Sequence, residues 1–179
     1  MREEMLARIR SALKPSGGEA PAVRLSRSEG DRVKMFRAAL EALGGKVIET
    51  DKAEDQIQEI VNGRSFVTSK EEFSRDKCSA AEFGIAWADC ALAETGTLVY
   101  LAGPRLVSLL PPRHIAVIER DRILESLDEL LSIVPRPGDR SSAMTLVTGP
   151  SRTADIEMRL VRGVHGPGEI TVIVSGVTV

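Results

Sequence analysis

Aromatic residues are scarce in this chain: four Phe, one Trp and one Tyr among 179 residues. Its core must be built mainly from aliphatic side chains, and it has few rings on which a nucleobase could stack. Cysteine is scarcer still. Cys78 and Cys90 stand twelve positions apart with no CxxC pair, and two thiols cannot supply the four ligands of a structural zinc or an iron–sulfur cluster. They read as ordinary buried thiols. His114 and His165 are the only histidines and no HExxH spacing occurs, so no metal is expected on this chain. There is no excess of positive charge either. Lys and Arg total 24 against 26 Asp and Glu, a net of −2, which speaks against a general nucleic-acid binder. No apolar run approaches the roughly 18 to 20 residues needed to cross a bilayer. Met1-Arg2-Glu3-Glu4-Met5-Leu6 lacks the apolar region of a signal peptide. The expected setting is cytoplasmic, with neither nucleic acid nor membrane as partner.

What is present suits a single α/β domain. Hydrophobic residues make up 42% of the chain, and a chain of this size buries about 70% of its unfolded surface. Met5, Leu6, Ile9 and Leu13 have helical spacing, so residues 1–14 read as an amphipathic helix. It is suited to packing on a second copy of the chain. Residues 15–27, with Pro15, Gly17, Gly18 and Pro21, read as a flexible linker. The body, 28–179, opens with Ser28 as a helix cap ahead of Val33, Phe36, Leu40 and Leu43, and Gly44-Gly45 stop that helix. Further helices are expected over 53–61, 70–75, 122–133 and 151–162. Strands are expected over 46–49, 65–68, 84–88, 98–101, 115–118, 143–147 and 170–174, with a loop at 135–138. This alternation predicts a mostly parallel sheet covered on both faces.

Three polar runs carry the chemistry. In Thr148-Gly149-Pro150-Ser151-Arg152-Thr153-Ala154-Asp155-Ile156-Glu157, small and hydroxylated residues lead into the expected helix at 151. A helix start exposes unpaired N–H groups and partial positive charge. Gly149 would admit a ligand to the backbone, and Ser151 and Thr153 would cap the helix or donate to an oxygen. Arg152 would grip a carboxylate or phosphate. Asp155 and Glu157 would either balance the helix dipole or, for Asp155, orient Arg152 or a substrate hydroxyl. Placed after a strand, this turn would lie at the carboxyl end of the sheet, where open parallel sheets bind ligands. No GxxxxGK[ST] or GxGxxG occurs, so neither a P-loop nor a dinucleotide site is supported. In the second run, Glu94-Thr95-Gly96-Thr97, Glu94 either holds turn amides or serves as base or nucleophile, with Thr95 and Thr97 lining a cleft. The third, His165-Gly166-Pro167-Gly168-Glu169, offers His165 as a proton carrier or a turn-stabilising residue. Arg105 and Arg113 bracket an apolar loop and either clamp a carboxylate, with His114 beside Arg113, or are solvated loop arginines. His114, like His165, is otherwise a proton carrier or a surface or turn-stabilising residue.

Ala88 through Thr97, Thr148 through Glu157 and Gly163 through Glu169 resemble the lactate utilization protein C branch of the LUD-domain family. So do Leu109-Leu110-Pro111-Pro112-Arg113-His114 and the N-terminal helix with its linker. The resemblance covers essentially the whole chain. It implies a three-layer αβα fold similar to that of sugar-phosphate isomerases and CoA transferases. It also implies a cytoplasmic system that oxidises L-lactate to pyruvate, with iron–sulfur clusters on separate partner proteins and no cofactor on this chain. The chain's part would be to bind a small carboxylate- or phosphate-bearing ligand between the 94–97, 148–155 and 163–169 loops and to dock on its partners. Two alternatives stay open. One is a stand-alone isomerase, transferase or cycloligase using Glu94; the other is a scaffold or regulatory subunit whose polar turns are only structural.

Overall fold

The computed structural model describes residues 3–5, 7–8, 31–72, 74–101, 105–134, 143–154, 160–162 and 166–176. Residues 3–5 and 7–8 are helical and exposed, Met5 at 58%. The expected linker at 15–27, the cap at Ser28 and the loop at 135–138 lie outside the described residues.

Helix α1 (Arg32–Ala42) starts on Asp31, whose carboxylate accepts from the N–H groups of Val33 and Lys34. These bonds, the Lys34 amide first, hold the Asp31 carboxyl below its usual range. Strand β1 (Lys46–Thr50) follows. Helix α2 (Ala53–Val61) ends on Asn62, which takes the left-handed conformation common at helix ends. Strand β2 (Phe66–Thr68) leads to helix α3 (Arg75–Ala80), capped by Ser74. The helix expected at 70–75 begins where that expectation ended, because a hydroxyl cap outweighs weak periodicity. Strands β3 (Phe83–Trp87), β4 (Cys90–Leu92) and β5 (Thr97–Leu101) come next, then the short helix α4 (Arg105–Leu109) and strand β6 (Arg113–Glu119).

Residues 122–133 are not one helix. A 3₁₀ turn (Arg120–Arg122) and strand β7 (Ile123–Leu124) precede helix α5 (Leu127–Ile133), which starts at the Ser126 cap. Strand β8 (Met144–Thr148) follows. The described residues of the helix expected over 151–162 are not helical. Strands β9 (Arg152–Ala154) and β10 (Leu160–Arg162) pair there as an antiparallel hairpin, with Thr153 opposite Val161. β-Branched residues suit such a cross-strand pair better than a helix interior. Strand β11 (Glu169–Ser175) closes the described chain.

The class is α/β, as the alternation implied. β1, β11, β6, β3 and β2 form a five-stranded, wholly parallel sheet in that order. On one face α2 places Ile57 and Val61 against Phe83, Ile85, Ile115, Val117 and Ile173. On the other, α1 contributes Val33, Phe36 and Leu40 to a core shared with Ala86, Ala116, Ile118, Val172 and Val174. That core also receives Ala91, Leu98 and Tyr100 from a second sheet, which the sequence did not suggest. Its order is β7-β4-β5-β8 and two of its three pairings are antiparallel. Helix α5 packs on its outer face through Leu130, beside Cys90, Leu92 and Val99.

Candidate functional site

Two of the three polar runs meet through backbone pairing. Thr97 on β5 lies opposite Thr148 on β8, and their hydroxyl oxygens are 2.8 Å apart. Thr95 Oγ1 lies 2.6 Å from Thr97 Oγ1 on the other side, so three hydroxyls form a hydrogen-bonded row. Gly96 makes the turn that sets this row. Its φ is +65°, and a Cβ there would sit 2.5 Å from the backbone nitrogen of Leu40 on α1. Gly96→Ala should therefore cost about 2 kcal/mol in urea denaturation, through positive φ and overpacking together; unchanged stability would contradict this packing. Glu94 is exposed, and its backbone N–H donates to the Glu125 carbonyl.

Beside the row lies a cleft of about 470 Å³. Its walls are Arg105, Ser108 and Leu109 from α4, Thr145 through Thr148 of β8, the turn from Gly149 to Arg152, Gly166 and Pro167, and Leu43 after α1. Gly149, Ser151 and Arg152 thus face one space, and the Ser151 N–H donates to the Pro167 carbonyl, tying the 148–152 run to the third polar run. Glu94, Thr95, Gly96 and Thr97 are not among the lining residues. His165, Asp155 and Glu157 lie outside the described residues, as does the side chain of Thr153.

The cleft is not at the carboxyl ends of the parallel strands. Thr148 ends β8, which belongs to the second sheet, and Gly166 and Pro167 precede the amino end of β11. Nor does a helix start here, so the anion site expected from a helix N-terminus has no basis in the fold. What the cleft offers in its place is cationic side chains. The lining residues include two arginines, Arg105 and Arg152, and no Asp or Glu. Arg152 donates to the carbonyl of Leu43 at the end of α1, a favourable place for a cation. Arg105 has no ion pair among the described residues.

Arg113 and His114 lie elsewhere. Arg113 sits between Glu82 at 3.4 Å and Glu169 at 3.3 Å, its guanidinium 5.4 Å from the centre of the Phe83 ring. His114 is 1% exposed. Its Nδ1 lies 2.9 Å from the Gly84 carbonyl and its Nε2 2.8 Å from the Tyr100 hydroxyl. A carbonyl only accepts, so Nδ1 carries the proton and Tyr100 donates to Nε2. Burial lowers the His114 pKa to about 4 and raises that of Tyr100. Both ring nitrogens are spent within the core, so the two residues form no carboxylate clamp. Cys90 is buried, its thiol pushed up to about 11, and burial raises Cys78 too. Among the described residues no three His, Cys, Asp or Glu side chains gather as metal ligands. Nor is any described helix long and apolar enough to cross a membrane.

Sequence reasoning missed the apolar side of the cleft, Leu43, Leu109 and Leu146, and it grouped Arg105 with Arg113 rather than Arg152. Nothing local marks these residues; only the tertiary fold, which sets α4 and β8 around one cleft, brings them together.

Comparison with known proteins agrees with this architecture. The family model of the LUD domain matches residues 63–175. Lactate utilization protein C of Anoxybacillus flavithermus is 42% identical over 106 residues, covering 56% of this chain and 48% of that protein. The protein of the same name from Exiguobacterium sp. is 38% identical over 113 residues, covering 59% and 49%. The chain spans about half the length of the curated relatives it matches. The crystal structure of a DUF162 family protein from Deinococcus radiodurans superposes with a TM-score of 0.64 at 20% identity, over 86% of this chain and 100% of that one. That likeness concerns the fold. With more than half of its residues matched by the family model, the chain belongs to the LUD domain family.

Proposed function

We propose that this protein is a component of an L-lactate utilization system, working with separate iron–sulfur proteins that oxidise L-lactate to pyruvate. Its own task is to hold a carboxylate- or phosphate-bearing ligand in the cleft between Arg105 and Arg152. Similarity to the lactate utilization proteins supports the process. The ligand class rests on one observation: a cleft of about 470 Å³ with two arginines and no acidic side chain in its lining, on a chain of net charge −2. Clefts of this size suit small-molecule ligands. Catalysis through Glu94 has less support, because that residue is exposed and does not line the cleft.

Thermal unfolding with pyruvate, L-lactate and inorganic phosphate tests the reading. A ligand at 100 times its dissociation constant stabilises by about 2.7 kcal/mol, a rise of several degrees for a chain of this length. The rise should vanish in Arg105→Ala and persist in Glu94→Gln. A rise that survives Arg105→Ala would place the ligand elsewhere.

A further inference from the structure

β8 is the outer strand of the second sheet, and the cleft runs along it: four consecutive β8 residues, Thr145 through Thr148, line the space. The direction of its backbone groups follows from the neighbouring strand. The Leu101 N–H donates to Asp89 Oδ2 at 2.6 Å and the Val99 carbonyl accepts from the Asp89 N–H, both on the β4 side of β5. In an antiparallel ladder successive residues point to opposite sides. Leu98 and Tyr100 therefore turn toward β8, where their partners are Val147 and Thr145. Leu146, between those two, directs its N–H and C=O away from β5. Among the described residues neither group has a partner.

The side chains around this free edge are complementary to one kind of occupant. Leu146 and Leu109 are 45% and 48% exposed, two large apolar groups in one cleft, as interaction sites show. Arg105 and Arg152 supply positive charge without a carboxylate in the lining. No Phe, Tyr or Trp lines the space, so a nucleobase or flavin ring would find no aromatic platform. A strand edge with unpaired backbone groups, apolar side chains and a cationic end matches an extended peptide.

We propose that the cleft receives an extended acidic segment of a partner protein, which adds a strand to β8. The segment's main chain pairs with the outward N–H and C=O of Leu146. An aliphatic side chain covers Leu109 and Leu146, and a carboxylate, from an Asp, a Glu or a chain terminus, meets Arg105. The lined stretch of β8 spans roughly 10–14 Å, so about four residues of the partner are engaged. This proposal rests on the anionic-ligand reading of the same cleft and makes the anion part of a protein.

Randomised heptapeptides displayed on phage, selected against the full chain, supply the probe. Selected sequences are then measured as fluorescein-labelled peptides by anisotropy. The expected consensus has aliphatic residues at alternate positions and one acidic group. Arg105→Glu weakens binding at least tenfold, and so does methylation of single peptide backbone nitrogens, a change that leaves the protein's folding untouched. Failure to select any peptide, or affinity indifferent to both changes, overturns the proposal. A dimer that Leu146→Arg dissociates would assign the edge to a second copy and overturn it equally. The thermal shift with inorganic phosphate separates this failure from that of the parent reading. A shift lost in Arg105→Ala without peptide binding keeps the anion cleft and removes only the strand addition.

Discussion

Gly84→Ala should destabilise the protein by more than about 3 kcal/mol, the upper end of overpacking costs. Gly84 sits in β3, inside the parallel sheet between β2 and β6. A Cβ there would lie 1.8 Å from the carbonyl oxygen of Val107 and 2.9 Å from Cγ of Pro111. The first is backbone of α4, so no rotamer change relieves it, and α4 would have to leave the sheet. Urea denaturation gives the loss directly; a midpoint like that of the parent protein would show that α4 does not rest on β3 as described. A function-linked readout follows, since Arg105, Ser108 and Leu109 reach the cleft from this helix. If Gly84→Ala still folds, its ligand-dependent thermal shift should be lost along with stability. Gly96→Ala acts on α1 instead and should leave more of that shift.

The second large effect is a pH dependence set in the core. His114 titrates near its ordinary 6.5 in the unfolded chain and near 4 when folded, because burial penalises the charged ring. Between those values the unfolded chain binds more protons, so stability rises with pH across the window. Its contribution is complete above pH 6.5 and fades as pH falls toward 4, by about 3 kcal/mol in total. Urea denaturation at half-unit steps from pH 4 to 7.5 measures the slope. His114→Gln should be less stable at neutral pH, since it disturbs both buried partners, yet its curve should lack this increment. Parallel curves for the two proteins would refute the buried neutral imidazole. Tyr100→Phe should cost about 1–3 kcal/mol at neutral pH by leaving Nε2 unpaired in the core.

The elements read correctly from sequence are those whose periodicity and stop signals agree. Val33, Phe36 and Leu40 form the buried stripe of α1, and α2 ends on Asn62. Misreadings fall where local signals conflict with distant pairing. Thr153 and Val161 look compatible with a helix until they are seen opposite each other in a hairpin. Strand β4, Cys-Ala-Leu, carries no β-branched residue and is extended only because β5 and β7 flank it. In the candidate site, Gly149, Ser151 and Arg152 were legible as a polar turn after a strand. Their sheet was not, and with it went the expectation of a ligand at the carboxyl ends of the parallel strands. His114 stood out as a rare ionisable residue, but the sequence could not show that Tyr100 and Gly84 use both its nitrogens.

The order of strands in the parallel sheet also governs how the chain can be made. β11, the last strand described, lies between β1 and β6, and Lys46 finds its ladder partner only at Thr171. A chain emerging from the ribosome can form β2, β3 and β6 side by side, yet β1 stays unpaired until β11 arrives. Such late closure over a long sequence separation slows folding and leaves an open strand edge in the nascent chain. Loss of β11 would therefore do more than shorten the sheet: it would detach β1 and expose the flank of β6 together.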